Sequence, residues 1–237
     1  MDRRQCGKII EVNEITMNII WHGQSCFQIV SSQGKETVKI VVDPFDEATG
    51  PKVPKLEADI VLVTHSHHDH NNVKAVSSAT PGKEPILIDI PGEFEAKGVS
   101  IQGIPSFHDA SSGEERGLNT IYVIEAEDIK ICHLGDLGQN ELTTEQIDQI
   151  GDVDILMVPI GGTYTISATE AVKVISQIEP PITIPMHYLI PGLKAKIEGV
   201  DRFLKALGIK SPESLPKLSI KKKDILPEEA KIIVLNP

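Results

Sequence analysis

The sequence predicts an α/β protein folded as one domain, residues 1–237, and three observations carry that expectation. Short apolar runs of strand character recur along the whole chain, punctuated by Gly, Pro, Asn and Asp. Two segments in the second half start with the side-chain signature of a helix N-terminus. The 237 residues are 40% hydrophobic, enough to bury a large core, and no Pro/Gly/Ser linker, repeat or low-complexity tract divides them.

Taken in order, the early strands are expected at Asn18–Trp21, Cys26–Ser31, Val38–Asp43 and Asp59–Thr64. A middle group comes next at Ile86–Ile90, Val99–Phe107, Thr120–Ala126 and Ile129–His133. Thr143 with Gln146 makes a capping box, and Leu142 with Ile147 can staple the same helix start. Ser167 with Glu170 makes a second box, trailed by Ala171, Val174, Ile175 and Ile178 at helical spacing. That helix feeds a strand at Pro181–Pro185. A third helix is expected over Val200–Leu207, and late strands at Lys217–Ile220 and Lys231–Leu235. Residues 1–16 differ in character from the rest of the chain and read as either an extra strand or an N-terminal extension before Met17.

The chemistry concentrates in Thr64-His65-Ser66-His67-His68-Asp69-His70, directly after the apolar strand Asp59–Val63. Four of the eight histidines fall inside six positions. A loop leaving a strand lets side chains converge on one point instead of alternating across a sheet. His65 and His67 can chelate one cation, while Asp69 and His70 can reach a neighbouring one. Imidazole suits borderline metals such as zinc, and a carboxylate adds charge. His68, between them, is expected to point away from the ligands.

His-x-His-x-Asp-His after an apolar strand resembles the signature of the metallo-β-lactamase superfamily of metal-dependent hydrolases. The resemblance implies three further ligands in order, and His108, Asp136 and His187 stand where they are required. It runs from about Asn18 to Leu207. It implies a four-layer αββα sandwich, where strand propensity alone gives only α/β. It also implies two divalent ions per chain, with His65, His67 and His108 on the first and Asp69, His70 and His187 on the second. Asp136 would bridge them, and the bridging hydroxide would attack a carbonyl or phosphorus, with Asp136 or Asp69 managing the proton. Zinc is the expected metal, with manganese or iron as alternatives because the ligands are nitrogen and oxygen. Relatives that reduce oxygen or nitric oxide at two irons carry a glutamate where His67 stands, so hydrolysis is expected. Asp43 in Val42-Asp43-Pro44 matches the family's early aspartate and is expected to orient the ligand loop from behind. A turn-capping role for Asp43 before proline would be compatible with that.

Small hydrolases resembling the ascorbate-phosphate lactonase and the N-acyl-phosphatidylethanolamine phospholipase D begin with a Trp-x-Gly-His segment. Here Gln24 replaces that histidine, so His22 or Gln24 is expected to line the pocket. Thr163 and Tyr164, after the paired glycines Gly161-Gly162, are expected at its mouth or in a tight strand-to-helix turn. His133 is expected to support the core or the surroundings of Asp136. The polar segment 109–117 reads as a mobile rim loop, with Arg116 a solvated surface residue more readily than an anion contact.

The formal charge of −11 argues against a nucleic-acid backbone as partner, leaving a compact nuclease as the weaker alternative. A non-catalytic metal-dependent binding or regulatory protein is the other. Asp136 and His187 stand only 51 positions apart, too close for the inserted domain of the nucleic-acid-processing branch, and 50 residues lie beyond His187. The expected substrate is therefore a small ester, lactone or phosphodiester. An odd, widely spaced set of cysteines, no apolar leader and no long apolar segment place the protein in the cytoplasm and off membranes. Oligomeric state is not specified.

Overall fold

The computed structural model describes residues 16–33 and 36–237. The reading of residues 1–16 as a strand or extension therefore falls almost wholly outside the described residues. The first half supplies β1 (Met17–Trp21), β2 (Phe27–Gln33), β3 (Glu36–Val42), β4 (Leu56–Ala58), β5 (Ile60–Leu62), β6 (Val76–Ser78) and β7 (Ile86–Ile88). The middle supplies β8 (Gly92–Ala96), β9 (Val99–Phe107), β10 (Leu118–Ala126) and β11 (Ile129–His133). Then come α1 (Thr144–Ile150), β12 (Ile155–Pro159), α2 (Ala168–Ile178), β13 (Ile182–Met186) and α3 (Val200–Ala206). The chain closes through β14 (Glu213–Leu215), β15 (Leu218–Ile220) and β16 (Lys231–Leu235).

Two sheets result. One has the order β15-β1-β2-β3-β5-β7, the other β14-β16-β13-β12-β11-β10-β9-β8, and β4 pairs with β6 as a separate ribbon. The strands β11, β12, β13 and β16 run parallel. Every residue of β12 and β13 is buried, as central parallel strands covered on both faces require. β1 instead alternates buried and half-buried positions.

The apolar side chains between the sheets form one large core that includes Trp21, Phe27, Ile101, Tyr122 and Ile184. The pleat divides β3 and β5 between two cores. Ile40, Val42, Ile60 and Leu62 face the large one, while Val41 and Val61 join Cys26, Phe45, Leu56 and Val63 in a smaller one. That smaller core sits where the β4–β6 ribbon contributes Leu56, Ala58 and Val76. Burying each such aliphatic side chain is worth roughly 1.5–3 kcal/mol before ordering costs.

Both expected capping boxes form. Thr143 Oγ1 accepts from Gln146 N at 3.1 Å, and the Gln146 side chain returns to Thr143 N at 3.0 Å. Ser167 and Glu170 make the same exchange at the head of α2. α2 lays Ala168, Ala171 and Val174 against the core. The strands the sequence misses are β4, β6, β8 and β14, and β12 is implied only as an unbounded strand before the Gly161-Gly162 turn. Among the described residues no helix is long and apolar enough to cross a membrane.

Candidate metal centre

Five loops deliver polar side chains to one edge of the sandwich, and each leaves the C-terminal end of a strand. Asp43 follows β3, the histidine-rich loop follows β5, His108 follows β9, Asp136 lies just past β11, and His187 follows β13. β3 and β5 are parallel, and so are β11, β12 and β13, so their ends open on the same side.

The seven candidate ligands meet there. His65, His67 and His108 each offer a ligand atom within 4.8 Å of the others, and so do Asp69, His70 and His187. His65, His70 and Asp136 form a third such group, which joins the first two. Asp136 Oδ2 is the centre of the arrangement. It lies 3.2 Å from His70 Nε2, 3.2 Å from His187 Nε2 and 3.5 Å from His108 Nε2. The other oxygen of Asp136 accepts from Ser25 Oγ at 3.0 Å. Asp69 is the more open carboxylate, with Oδ2 3.6 Å from His70 Nε2.

The electrostatics suit cations. Burial, reinforced by the neighbouring His70, pushes the His65 ring down to about 2, and burial also lowers His108. Both therefore present neutral nitrogen lone pairs. Burial raises the Asp136 carboxyl, but His187 and His70 more than offset it and hold it well below the usual range. Burial likewise disfavours charge on His70, yet Asp136 and Asp43 draw its pKa well above the ordinary value. The carboxylates demand positive charge in this cluster. The buried Nε2 atoms of His65 and His70 make no hydrogen bond of acceptable geometry. Neutral imidazoles, buried carboxylates and unpartnered nitrogens facing one point fit divalent ions of the zinc type.

Asp43 lies behind the ligand loop. It is fully buried, and its Oδ2 accepts from His70 Nδ1 at 2.9 Å and Thr64 Oγ1 at 2.7 Å. Its Oδ1 accepts from Thr64 N at 2.8 Å. A carboxylate accepts only, so His70 Nδ1 carries a proton towards Asp43, which would leave Nε2 to take an ion when one is bound. His133, also expected nearby, is buried with Nε2 2.9 Å from Ser25 O, while Nδ1 accepts from Gly135 N. It ties the β1–β2 turn to the Asp136 loop.

The structure separates the pocket candidates. A cavity of about 490 Å³ opens over the cluster, lined among others by Gln24, His67, Arg116, Tyr164 and Lys194. Gln24 is buried, with Nε2 3.3 Å from Asp69 Oδ2 and 3.4 Å from His187 Nε2. His22 does not line this cavity, and its half-buried ring has a pKa lowered by burial. The alternation of β1 carries it past the pocket, and the left-handed Gln24 (φ 51°) then turns the next side chain inward. Thr163 also misses it. It faces a smaller neighbouring cavity and donates to Lys196 O at 3.3 Å, whereas Tyr164 lines both cavities. Gly161 does permit a close approach, since a Cβ there would stand 2.2 Å from His187 O.

Arg116 departs from the expected solvated residue, because its guanidinium lies over the Tyr164 ring and lines the cavity. The reason is Asp109, whose carboxylate accepts from the backbone N–H of Ser111, Gly113, Glu115 and Arg116 and fastens the loop. His68 lies outside the ligand groups on the rim, exposed, 3.2 Å from Asp46. Sequence reasoning missed Ser25, Asp109 and Lys194. Ser25 stands inside the Trp21–Phe27 segment that also holds His22 and Gln24, whereas nothing around Lys194 signals a site.

Comparison with known proteins agrees with this geometry. The sequence model described as "Beta-lactamase superfamily domain" matches residues 18–187, most of the chain and all seven candidate ligands. The chain belongs to the metallo-β-lactamase superfamily, and it is a metal-dependent hydrolase of that superfamily. Its relatives include a metal-dependent hydrolase of Thermoplasma volcanium, 37% identical over 73% of this chain and 83% of that one. A second, from Thermococcus onnurineus, is 32% identical over 70% and 82% of the respective chains. Among solved structures, a Thermotoga maritima protein provisionally described as a Zn-dependent hydrolase of the superfamily is 38% identical. It aligns with a TM-score of 0.73 over 92% of this chain and 98% of its own.

Proposed function

We propose that the protein is a single-domain, cytoplasmic, binuclear hydrolase that cleaves a small ester, lactone or phosphodiester. The observation that carries the reading is Asp136 Oδ2, placed within 3.5 Å of three imidazole Nε2 atoms drawn from three different loops. One carboxylate so surrounded suits a bridge between two cations better than a single closed site. His65, His67 and His108 would hold one ion, and Asp69, His70 and His187 the other. Zinc is the first choice, with manganese or iron compatible with the same donors.

When bound, such ions supply an activated water near neutral pH and polarise the scissile group. The chain's own residues do the rest. Asp43 fixes the His70 tautomer, Thr64 Oγ1 stands 3.0 Å from His65 Nδ1, and Ser25 orients Asp136 by donating to Oδ1. Asp69, the more solvent-accessible of the two carboxylates, is placed to take up or return a proton at the cavity floor. Gln24 donates an amide N–H beside Asp69, where it can orient a substrate oxygen but cannot act as acid or base. The cavity volume suits a small molecule.

Elemental analysis of the purified protein tests the reading. About two ions per chain, together with ester or phosphodiester turnover that needs them, is the expected result. One ion or none after reconstitution with zinc and with manganese would overturn it.

A further inference from the structure

We propose that Arg116 and Lys194 form a cationic clamp at the cavity mouth, and that the substrate carries an anionic group separate from its scissile bond. The group is a carboxylate or a phosphate. This deepens the proposed function and rests on it.

Both cations belong to loops that follow ligand-bearing strands. Arg116 closes the loop after His108, and Lys194 lies in the loop after His187, and both line the 490 Å³ cavity over the ligands. Neither is placed by chance. The Asp109 carboxylate accepts from Arg116 N at 2.8 Å as one of four backbone N–H groups, so the loop is built around a buried anion. The guanidinium lies 5.8 Å from the Tyr164 ring centroid, a cation–π arrangement that holds it beside the cavity. Lys194 N donates to Thr49 O at 3.1 Å. Its Cγ lies 3.0 Å from where a Cβ on Gly50 would stand, and Gly50 has φ 112°. The absence of a side chain at Gly50 is what lets the two loops close on each other and anchor the lysine stem.

The charges of this clamp are not used up by the protein. Arg116 has only the exposed Glu115, at 3.8 Å, and among the described residues Lys194 has no carboxylate within ion-pair distance. The acidic residues lining the cavity are Asp69 and Asp136, both in the ligand cluster. Asp46, on the rim loop that ends at Gly50, is taken by Ala48 N and His68. A chain of formal charge −11 thus sets over its candidate metal centre an arginine with one long, exposed ion pair and a lysine with none among the described residues. That contrast with its composition points to selection of an anion, which an Arg–Lys pair recognises through charge-assisted hydrogen bonds.

The test compares 4-nitrophenyl butyrate with the mono-4-nitrophenyl esters of succinate, glutarate and adipate, and with a phosphate-bearing butyrate ester. Each is measured on the metal-loaded wild-type enzyme, Arg116→Gln, Lys194→Gln and the double variant, with metal content and far-UV circular dichroism as controls for folding. The wild type is expected to favour at least one anionic ester by about tenfold in kcat/KM, expressed in KM, and the double variant to bring that ratio near one. Whether the carboxylate or the phosphate ester leads identifies the group. Arg116→Lys with Lys194→Arg should restore most of the preference. Calorimetric titration with N-phenylglutaramic acid and with neutral butyranilide gives a readout independent of turnover. If no ester is hydrolysed, the ester branch of the proposed function fails, while tighter binding of the acid that the double variant loses still supports the clamp. Equal binding and turnover of anionic and neutral probes by the wild type, or an unchanged preference in the double variant, would overturn it.

Discussion

Replacing Asp43 by Asn isolates the role of a tautomer in metal binding. Asparagine has the shape of aspartate and tolerates the left-handed backbone of this position (φ 49°), so the loop itself need not move. The wild-type carboxylate accepts three hydrogen bonds, at 2.7, 2.8 and 2.9 Å. An amide oriented to keep the bond from Thr64 N turns its NH₂ towards Thr64 Oγ1 and His70 Nδ1. The hydroxyl can rotate to accept. His70 cannot, unless its proton moves to Nε2 and removes the lone pair aimed at the site. Keeping the proton on Nδ1 instead sets two donors face to face, which costs about 1–3 kcal/mol. Either way metal affinity at the His70 position should fall by roughly 10- to 100-fold, the usual effect of losing a partner behind a ligand. Chelator-competition titration of the purified variant measures this, and long-range ¹⁵N–¹H spectra of the imidazoles report the tautomer. A folded Asn variant that binds both ions within twofold of wild type would refute the reasoning.

Asp136→Ala should abolish turnover and reduce metal content while circular dichroism shows the fold retained; activity near wild type would remove Asp136 from the bridging position. Stripping the metal with a chelator should lower the melting temperature, because a ligand present at about a thousandfold over its Kd contributes about 4 kcal/mol. For a chain of this length that corresponds to roughly 8–16 °C by calorimetry, and an unchanged melt would mean that the ions add nothing to the fold. Asp59→Asn should destabilise the protein in a pH-dependent way. Burial raises the Asp59 carboxyl, but Lys97, the Lys39 N–H and Thr80 lower it further, so its folded pKa lies below the unfolded value near about 3.9. The stabilisation is thus complete above that value and lost as pH falls through the folded pKa. Urea melts should show about 1–3 kcal/mol between Asp and Asn at pH 7 and a vanishing gap in acid. Thr143→Ala, which removes one half of a capping box, should cost about 1 kcal/mol in the same assay.

Some features were legible in the sequence because their cause is local. The two helix starts are written in residues three positions apart, and Thr143–Gln146 and Ser167–Glu170 close as expected. β9 and β11 were readable to the residue as apolar runs. β8 was missed although Lys97-Gly98 between Ala96 and Val99 signals a two-residue hairpin, which the left-handed angles of both residues bear out. The β4–β6 ribbon was not readable, since three-residue strands lack enough length for a period to show.

The sequence by itself determined the superfamily, the sandwich and the candidate ligands, because the His-x-His-x-Asp-His loop states residue types at fixed spacing along one segment. Only the tertiary structure decided which side chains surround them. Ser25 and Asp136 lie 111 positions apart yet share a hydrogen bond, and Asp43 reaches His70 across 27. Arg116, read from the sequence as a solvated residue, and Lys194, which no motif marks, become cavity residues because Asp109 fastens one loop and Gly50 admits the other. His22 and Thr163, plausible by position, turn elsewhere because the pleat and a left-handed backbone set the direction of each side chain. Ligand chemistry is carried by residue type, whereas contact between distant loops depends on how two sheets pack and where their strands end.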